Sequence, residues 1–191
     1  MTRDPHGGAP VAAAGTPLAD ARAVVILLHG RWGSAADILA LGEHLGLDGV
    51  AYLAPHAAGA SWYPYSFLAP AAQNEPWLAS ALELVGALVE KAGAPERTVL
   101  AGFSQGACLA LEFAARHARR YGAVIGLSGG LIGPPGTPRA YGGTFGGTPC
   151  FLGCSDVDPH IPFSAWRRRR RSWMHGCLPC ITGSWRTWAR M

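Results

Sequence analysis

The sequence predicts an α/β fold, a mostly parallel sheet with helices on both faces, whose C-terminal part is incomplete. Three observations predict it. Apolar runs of strand length alternate with longer helical stretches, the pattern of successive βαβ units. The run Ala23-Val24-Val25-Ile26-Leu27-Leu28 is continuously apolar, as a strand buried on both faces is. This run and Thr98-Val99-Leu100-Ala101 each empty into a glycine-bearing turn followed by a helix. Those turns fall at the carboxyl ends of strands, where open α/β sheets place their active sites.

In chain order, the first strand is read over 22–28 and its helix over 34–46, opening at Ser34 or Asp37. A strand over 49–54 leads into a long loop over 55–75, and a helix follows over 76–92. Glu75-Pro76 marks that helix start, with proline in the first turn. A strand over 97–103 and a helix over 105–119 come next. A strand over 122–127, a loop over 129–148 and a strand over 149–154 complete the series. Ser128-Gly129-Gly130 reads as a turn at a strand end, not as a second nucleophile. Residues 1–20, rich in Ala, Gly and Pro, read as a flexible lead-in. The folded unit spans 21–163, and residues 164–191 form a compositionally separate tail.

Gly102-Phe103-Ser104-Gln105-Gly106 carries the chemistry. It lies between the apolar run 98–101 and the helix-like Ala107-Cys108-Leu109-Ala110-Leu111-Glu112-Phe113-Ala114-Ala115. Strand, G-x-S-x-G, helix is the context of a nucleophile elbow, where a sharp turn lifts a serine hydroxyl out of the sheet. Glycine at 102 and 106 removes side chains that would clash where helix and strand cross. The helix N-terminus brings backbone N–H groups and a positive dipole end to the place where an oxyanion forms. A second turn, His29-Gly30-Arg31-Trp32-Gly33-Ser34, follows the first strand. A His-Gly turn there supplies the other oxyanion donor, so the amides of Arg31 and Gln105 are the expected pair. His29 itself reads as structural, hydrogen-bonded within its turn.

The motifs LLHGRWGSAADI, AGFSQGACLALEFA, GLSGG and SDVDPHIP, in this order between Arg22 and Pro162, resemble the phospholipase/carboxylesterase branch of the α/β-hydrolases, which includes acyl-protein thioesterases. The resemblance implies an α/β-hydrolase fold and a Ser/Asp/His triad acting on small-molecule esters or thioesters without a cofactor. It implies Ser104 as nucleophile and Asp158 as the acid, in the run Asp158-Pro159-His160-Ile161-Pro162 that follows a late strand. Asp156, two residues earlier, is the competing acid, although an Asp in such a loop more often caps a turn. The third member is missing from its place. One helix, one strand and two connections put the catalytic histidine about 25 residues after the acid. Only His160 and His175 follow Asp158. His160 is too close to fold back on Ser104, and His175 lies seventeen residues on, without a glycine-led approach from an apolar strand. His175 is the remaining candidate in a chain that lacks a proper base.

The tail explains the gap. Residues 164–191 hold seven arginines, four of the seven tryptophans, two of the five cysteines and no acidic residue. The tail thus supplies seven of the chain's 16 cationic groups and none of its 12 acidic ones, so the body is net negative and the pI near 9.0 describes the tail. A reading-frame shift accounts for this. Codons permitted for Trp173 to Trp188, read two bases later, can spell D-A-R-L-P-A-L-H-H-G-L-V-E-D-V, a strand, a histidine with glycine, and an acidic helix start. The run Arg167 to Arg171 with Trp166 and Trp173 is otherwise a solvated basic segment, and no specific nucleic-acid binding is expected of it. Cys177-Leu178-Pro179-Cys180 without a second pair does not make a metal site.

The long loop Gly59-Ala60-Ser61-Trp62-Tyr63-Pro64-Tyr65-Ser66-Phe67-Leu68 is the expected wall of the acyl or alcohol pocket, with Trp62, Tyr63 and Phe67 as the contact residues. His56 beside it reads as a loop residue. Hydrophobic content of 49% excludes a disordered chain, and no apolar run approaches the roughly 20 residues of a membrane span. The N-terminal stretch lacks the apolar core of a secretory signal, and an odd set of five cysteines suits reduced thiols in cytoplasm. Two function classes remain: an esterase or thioesterase, or a non-catalytic relic or binding protein on the same fold.

Overall fold

The structure, a computed structural model, describes residues 4–139 and 141–154 together with the backbone of 178–184. Its frame is one seven-stranded sheet in the order β1-β3-β2-β4-β5-β6-β7. The strands are β1 (Val11–Gly15), β2 (Ala23–Leu28), β3 (Val50–Pro55), β4 (Thr98–Phe103), β5 (Ala123–Leu127), β6 (Pro149–Cys154) and β7 (Leu178–Ser184). All neighbours pair in parallel except β1, which runs antiparallel to β3. The α-helices among the described residues are α1 (Ala35–His44), α2 (Trp77–Ala92) and α3 (Gln105–Arg116). None is long and apolar enough to cross a membrane.

The continuous apolar runs become the central strands because both of their faces are covered. Val24, Ile26 and Leu28 of β2 enter one core together with α2 and α3, while Leu27 enters the other with Ile38 and Leu39 of α1. α2 presents Leu78, Ala81, Leu82, Val85 and Val89, one stripe at three- and four-residue spacing, to the sheet. α3 is buried almost all round, from Gln105 to Ala115, since it crosses the middle of the sheet. α1 opens with a reciprocal cap: Asp37 N donates to Ser34 Oγ at 3.2 Å, and Ser34 N donates to Asp37 Oδ2 at 2.9 Å. Both residues singled out as helix starts thus act together.

The expected elements are present with ends moved by a few residues, and α3 stops at Arg116 rather than 119. The loop after β3 holds two short 3-10 turns, Ala58–Ala60 and Ala71–Asn74. Pro76 caps α2 instead of entering it, after a cis peptide bond from Glu75, and Ala79 N donates to Glu75 Oε2 at 2.9 Å. Ser128, at φ 54°, makes the turn that ends β5.

Two larger differences are corrections. The segment expected as a flexible lead-in forms β1 and, before it, a turn that buries His6. β1 is built from Val, Ala and Gly, so its order comes from the ladder with β3, not from its own propensity. β7 falls inside the anomalous tail and pairs with β6 from Pro149↔Leu178 to Cys154↔Ser184. A last parallel strand is therefore present in the sequence as written, where composition pointed to none.

Candidate active site

Ser104 sits at the carboxyl end of β4 with φ 52° and ψ −115°, a backbone conformation that non-glycine residues avoid. It is held there by its own amide, which donates to Leu127 O on β5 at 2.8 Å. The flanking glycines are forced by contact. A Cβ on Gly102 would lie against the backbone of Gly106, and one on Gly106 against the carbonyls of Leu28 and His29. The start of α3 thus lies directly on β2 and β4. Ser104 occupies the N-cap position of α3, yet its hydroxyl makes no capping bond.

The turn after β2 lies beside it, because Leu28 pairs with Gly102 in the sheet. His29 is buried and fully used: Nδ1–H donates to Gly30 O at 2.8 Å, and Nε2 accepts from Ala57 N at 3.1 Å. This matches its expected structural part. Gly33 N donates to Gly30 O, and Trp32 N donates to Ala60 O at 2.8 Å. Trp32 takes a positive φ of 66° and is exposed. The Arg31 amide lies between these fixed points, with no acceptor on it among the described residues.

Two side chains fasten the aromatic loop over this turn. The Arg31 guanidinium donates to three successive carbonyls, Tyr63 O at 2.9 Å, Pro64 O at 2.7 Å and Tyr65 O at 2.7 Å. The Gln105 carboxamide accepts from Trp62 N at 3.0 Å and donates to Tyr63 O at 2.7 Å. Neither anchor was legible in the sequence, since each joins residues more than 30 positions apart. A cavity of about 280 Å³ results, lined by Arg31, Trp32, Tyr63, Ser66, Phe67, Ser104, Gln105 and Cys108. Cys108, one turn along α3 from Ser104, was also missed, although its i+4 spacing places it on the serine's side of the helix. Burial and the neighbouring Cys108 thiol push the Tyr63 phenol well above its ordinary range, so it stays protonated. A larger hollow of about 490 Å³ lies at the far end of α3, around Phe113, Arg116 and Arg119, and holds none of these residues.

Five of the expected residues, Arg31, Tyr63, Phe67, Ser104 and Gln105, therefore meet at one cavity. Trp62 does not, which corrects its place in the pocket wall. Its indole is fully buried, packs on His29 at 4.9 Å, and donates to His29 O at 2.8 Å, so it supports the wall from behind. His56 accepts from Ala35 N at 3.4 Å beside α1, as a loop residue does. No histidine lines the cavity among the described residues. Asp156, Asp158 and His175 lie outside the described residues, the two aspartates following the carboxyl end of β6.

Comparison with known proteins gives the same frame. The phospholipase/carboxylesterase family profile matches residues 10–175. Acyl-protein thioesterase 1 of Saccharomyces cerevisiae is 30% identical over 89 residues, 47% of this chain and 39% of that protein. The esterase candidate NocK of Nocardia uniformis subsp. tsuyamanensis is 32% identical over 167 residues, 82% of this chain and 44% of its own length. The chain thus spans less than half the length of these two relatives. A crystal structure of a phospholipase/carboxylesterase from Dyadobacter fermentans superposes with a TM-score of 0.85 at 42% identity, covering 93% of this chain and 88% of that one. The elbow, the paired turn and a profile match over most of the residues lead to one assignment: this chain belongs to the phospholipase/carboxylesterase family of α/β-hydrolases.

Proposed function

We propose that the chain is built as a serine carboxylesterase or thioesterase acting through Ser104. Ser104 Oγ attacks the acyl carbonyl, the base takes its proton, and the amides of Arg31 and Gln105 hold the resulting oxyanion. The base then passes the proton to the leaving alcohol or thiol. Water attacks the acyl-enzyme in the second half of the cycle and releases the acid. The observation that carries this reading is the strained backbone of Ser104 at the mouth of a cavity, with its hydroxyl unspent on the helix it caps. Tyr63 and Phe67 form the apolar wall that receives the acyl or alcohol part.

Asp158 is the proposed acid and His175 the only base left after it in the right chain order. His175 is a poor base at that spacing, so the chain as written is an impaired hydrolase. A triad without its base retains only about 10³–10⁴-fold acceleration over water, from the oxyanion hole and binding. A second reading, a non-catalytic relic or binding protein on the same fold, follows from the sequence, in which only His160 and His175 follow Asp158 and neither has the spacing of a base.

Hydrolysis of 4-nitrophenyl butyrate by the purified chain, beside Ser104→Ala and a version carrying the shifted frame after residue 172, tests both. Ser104→Ala is expected to lose all turnover and keep its fold, and the shifted frame to raise turnover by orders of magnitude. Undiminished turnover in Ser104→Ala would remove Ser104 as nucleophile. Equal turnover in the present and shifted chains, lost in His175→Ala, would make His175 the base. In whichever chain turns over, Asp158→Asn is expected to cost about 10⁴-fold and Asp156→Asn little; the reverse ranking moves the acid to Asp156.

A further inference from the structure

We propose that residues Asp4 to Gly8, which precede the family match, are a latch on the candidate active site, with neutral His6 as the positioning residue that holds its loop. This rests on the reading that the Arg31 amide and the cavity beside Ser104 are the reactive site. The family match begins at residue 10, so these residues lie outside it.

His6 is 2% exposed although it lies before β1, which starts at Val11. Its amide donates to Ser80 Oγ on α2 at 2.9 Å, and the Ser80 hydroxyl in turn donates to Asp4 Oδ1. The ring packs on Trp62 at 5.6 Å and on Trp77 at 5.5 Å. Both ring nitrogens are engaged by the loop after β3. Nδ1 accepts from Ala58 N at 3.1 Å, which leaves Nε2 as the protonated nitrogen, donating to Trp62 O at 3.0 Å. Only the neutral Nε2–H tautomer meets both demands. In the cation, Nδ1–H would point at the N–H of Ala58, two donors facing each other in a buried place.

The loop so held is the one that shapes the site. Ala60 O accepts from Trp32 N, next to the Arg31 amide, and Trp62 N and Tyr63 O are bound by Gln105 at the foot of Ser104. The neighbouring amide, Ala57 N, is taken by His29 Nε2. Two adjacent backbone donors, Ala57 and Ala58, thus depend on two uncharged imidazoles from separate parts of the chain. The charged groups that act on them are Asp4 at His6, which favours the cation, and at His29 Asp37, which favours it, against His56 and His6, which oppose it. Burial outweighs Asp4 and holds His6 below the ordinary histidine range. Acidification therefore unlatches the loop and frees the turn that carries the Arg31 amide.

The test reads imidazole nitrogen shifts and amide hydrogen exchange by NMR on the whole chain, from pH 8 to pH 5, for wild type, His6→Asn and His6→Ala. Asparagine keeps an acceptor near the Nδ1 position and does not titrate. At pH 8, wild-type His6 is expected as the Nε2–H tautomer. On acidification, the Ala58 and Trp32 amides are expected to lose protection by about tenfold or more beyond the intrinsic pH effect, the scale of a buried donor left without its acceptor. His6→Asn should keep Ala58 protected with a flat pH profile, and His6→Ala should lose protection of both amides at every pH. A cationic or Nδ1–H His6 at pH 8 overturns the proposal. So does a wild-type pH profile in His6→Asn, or a Trp32 amide that responds to neither pH nor substitution. If His6→Ala does not fold, wild type and His6→Asn decide the matter alone. None of these readouts needs turnover, so they stand or fall separately from Ser104 as nucleophile.

Discussion

Ser104 stores backbone strain of order 1–3 kcal/mol, the usual cost of a non-glycine residue in so sparse a region of φ/ψ. Glycine would relieve it, while alanine would keep it. We therefore expect Ser104→Gly to be more stable than Ser104→Ala by about 1 kcal/mol, after the entropy that glycine forfeits on folding; equal urea midpoints would mean that the turn is unstrained. Gly106 is the opposite case. Any Cβ there meets the Leu28 and His29 carbonyls, which are backbone and cannot swing aside. Gly106→Ala is expected to cost at least the roughly 3 kcal/mol at the upper end of core overpacking, read as a fall in urea midpoint. The elbow was legible in the sequence because its requirements are local: strand, two glycines, serine, helix. Trp62 was misplaced because an aromatic residue in a loop reads the same whether it faces the cavity or the core beneath it. His6, and the side chains of Arg31 and Gln105, left no signal because their partners are backbone groups 32 to 56 residues away.

α3 is held at both ends by buried polar groups, and its second anchor is Glu112. This carboxylate is 1% exposed and accepts from Arg116 Nε at 2.8 Å, Tyr141 Oη at 2.7 Å and Ile132 N at 3.0 Å, with Arg139 at 3.6 Å. It ties the helix to the loop after β5. The exposed-side partner, Arg116, adds little, while Arg139 would lose its carboxylate and the Ile132 amide its acceptor in a largely buried place. Glu112→Ala is expected to cost about 3–5 kcal/mol in chemical denaturation, the range for breaking a buried pair. A cost under 1 kcal/mol would show that the loop after β5 holds itself. Burial, and then Glu112 itself, raise the Tyr141 phenol above its ordinary range, so it remains the donor in that bond. Most elements were legible because they bury continuous or striped apolar runs. β1 was not, since its Ala and Gly residues carry no strand preference and it forms only by pairing with β3. β7 was hidden by a proline near its start and by the arginine-rich composition around it.

At the scale of the whole molecule, the sheet brings two chain segments that composition set aside, the N-terminal stretch and the tail, to its opposite edges as β1 and β7. The first of these also brings a titrating group into the core. His6, His29 and His117 are all held below the ordinary histidine value of 6.5, in each case first by burial. At His117 the nearby Arg119 and Arg116 act in the same direction. Near neutral pH the unfolded chain therefore binds more protons than the native one, and stability rises with pH there. The contribution of these three groups is complete above 6.5, where both states are neutral, and is lost as pH falls through their depressed native values. Asp37 acts at lower pH still. Its carboxyl is held below the usual range by the Ser34 hydroxyl and amide, so its share is lost only as pH falls through carboxylate values. Tm is thus expected to be level from pH 8 to 7 and to fall between 6.5 and 5. His6→Asn should flatten that fall in part. A Tm that rises between pH 6.5 and 5 would mean that the native state takes up the protons instead, and that the two imidazoles on Ala57 and Ala58 are not neutral in the fold.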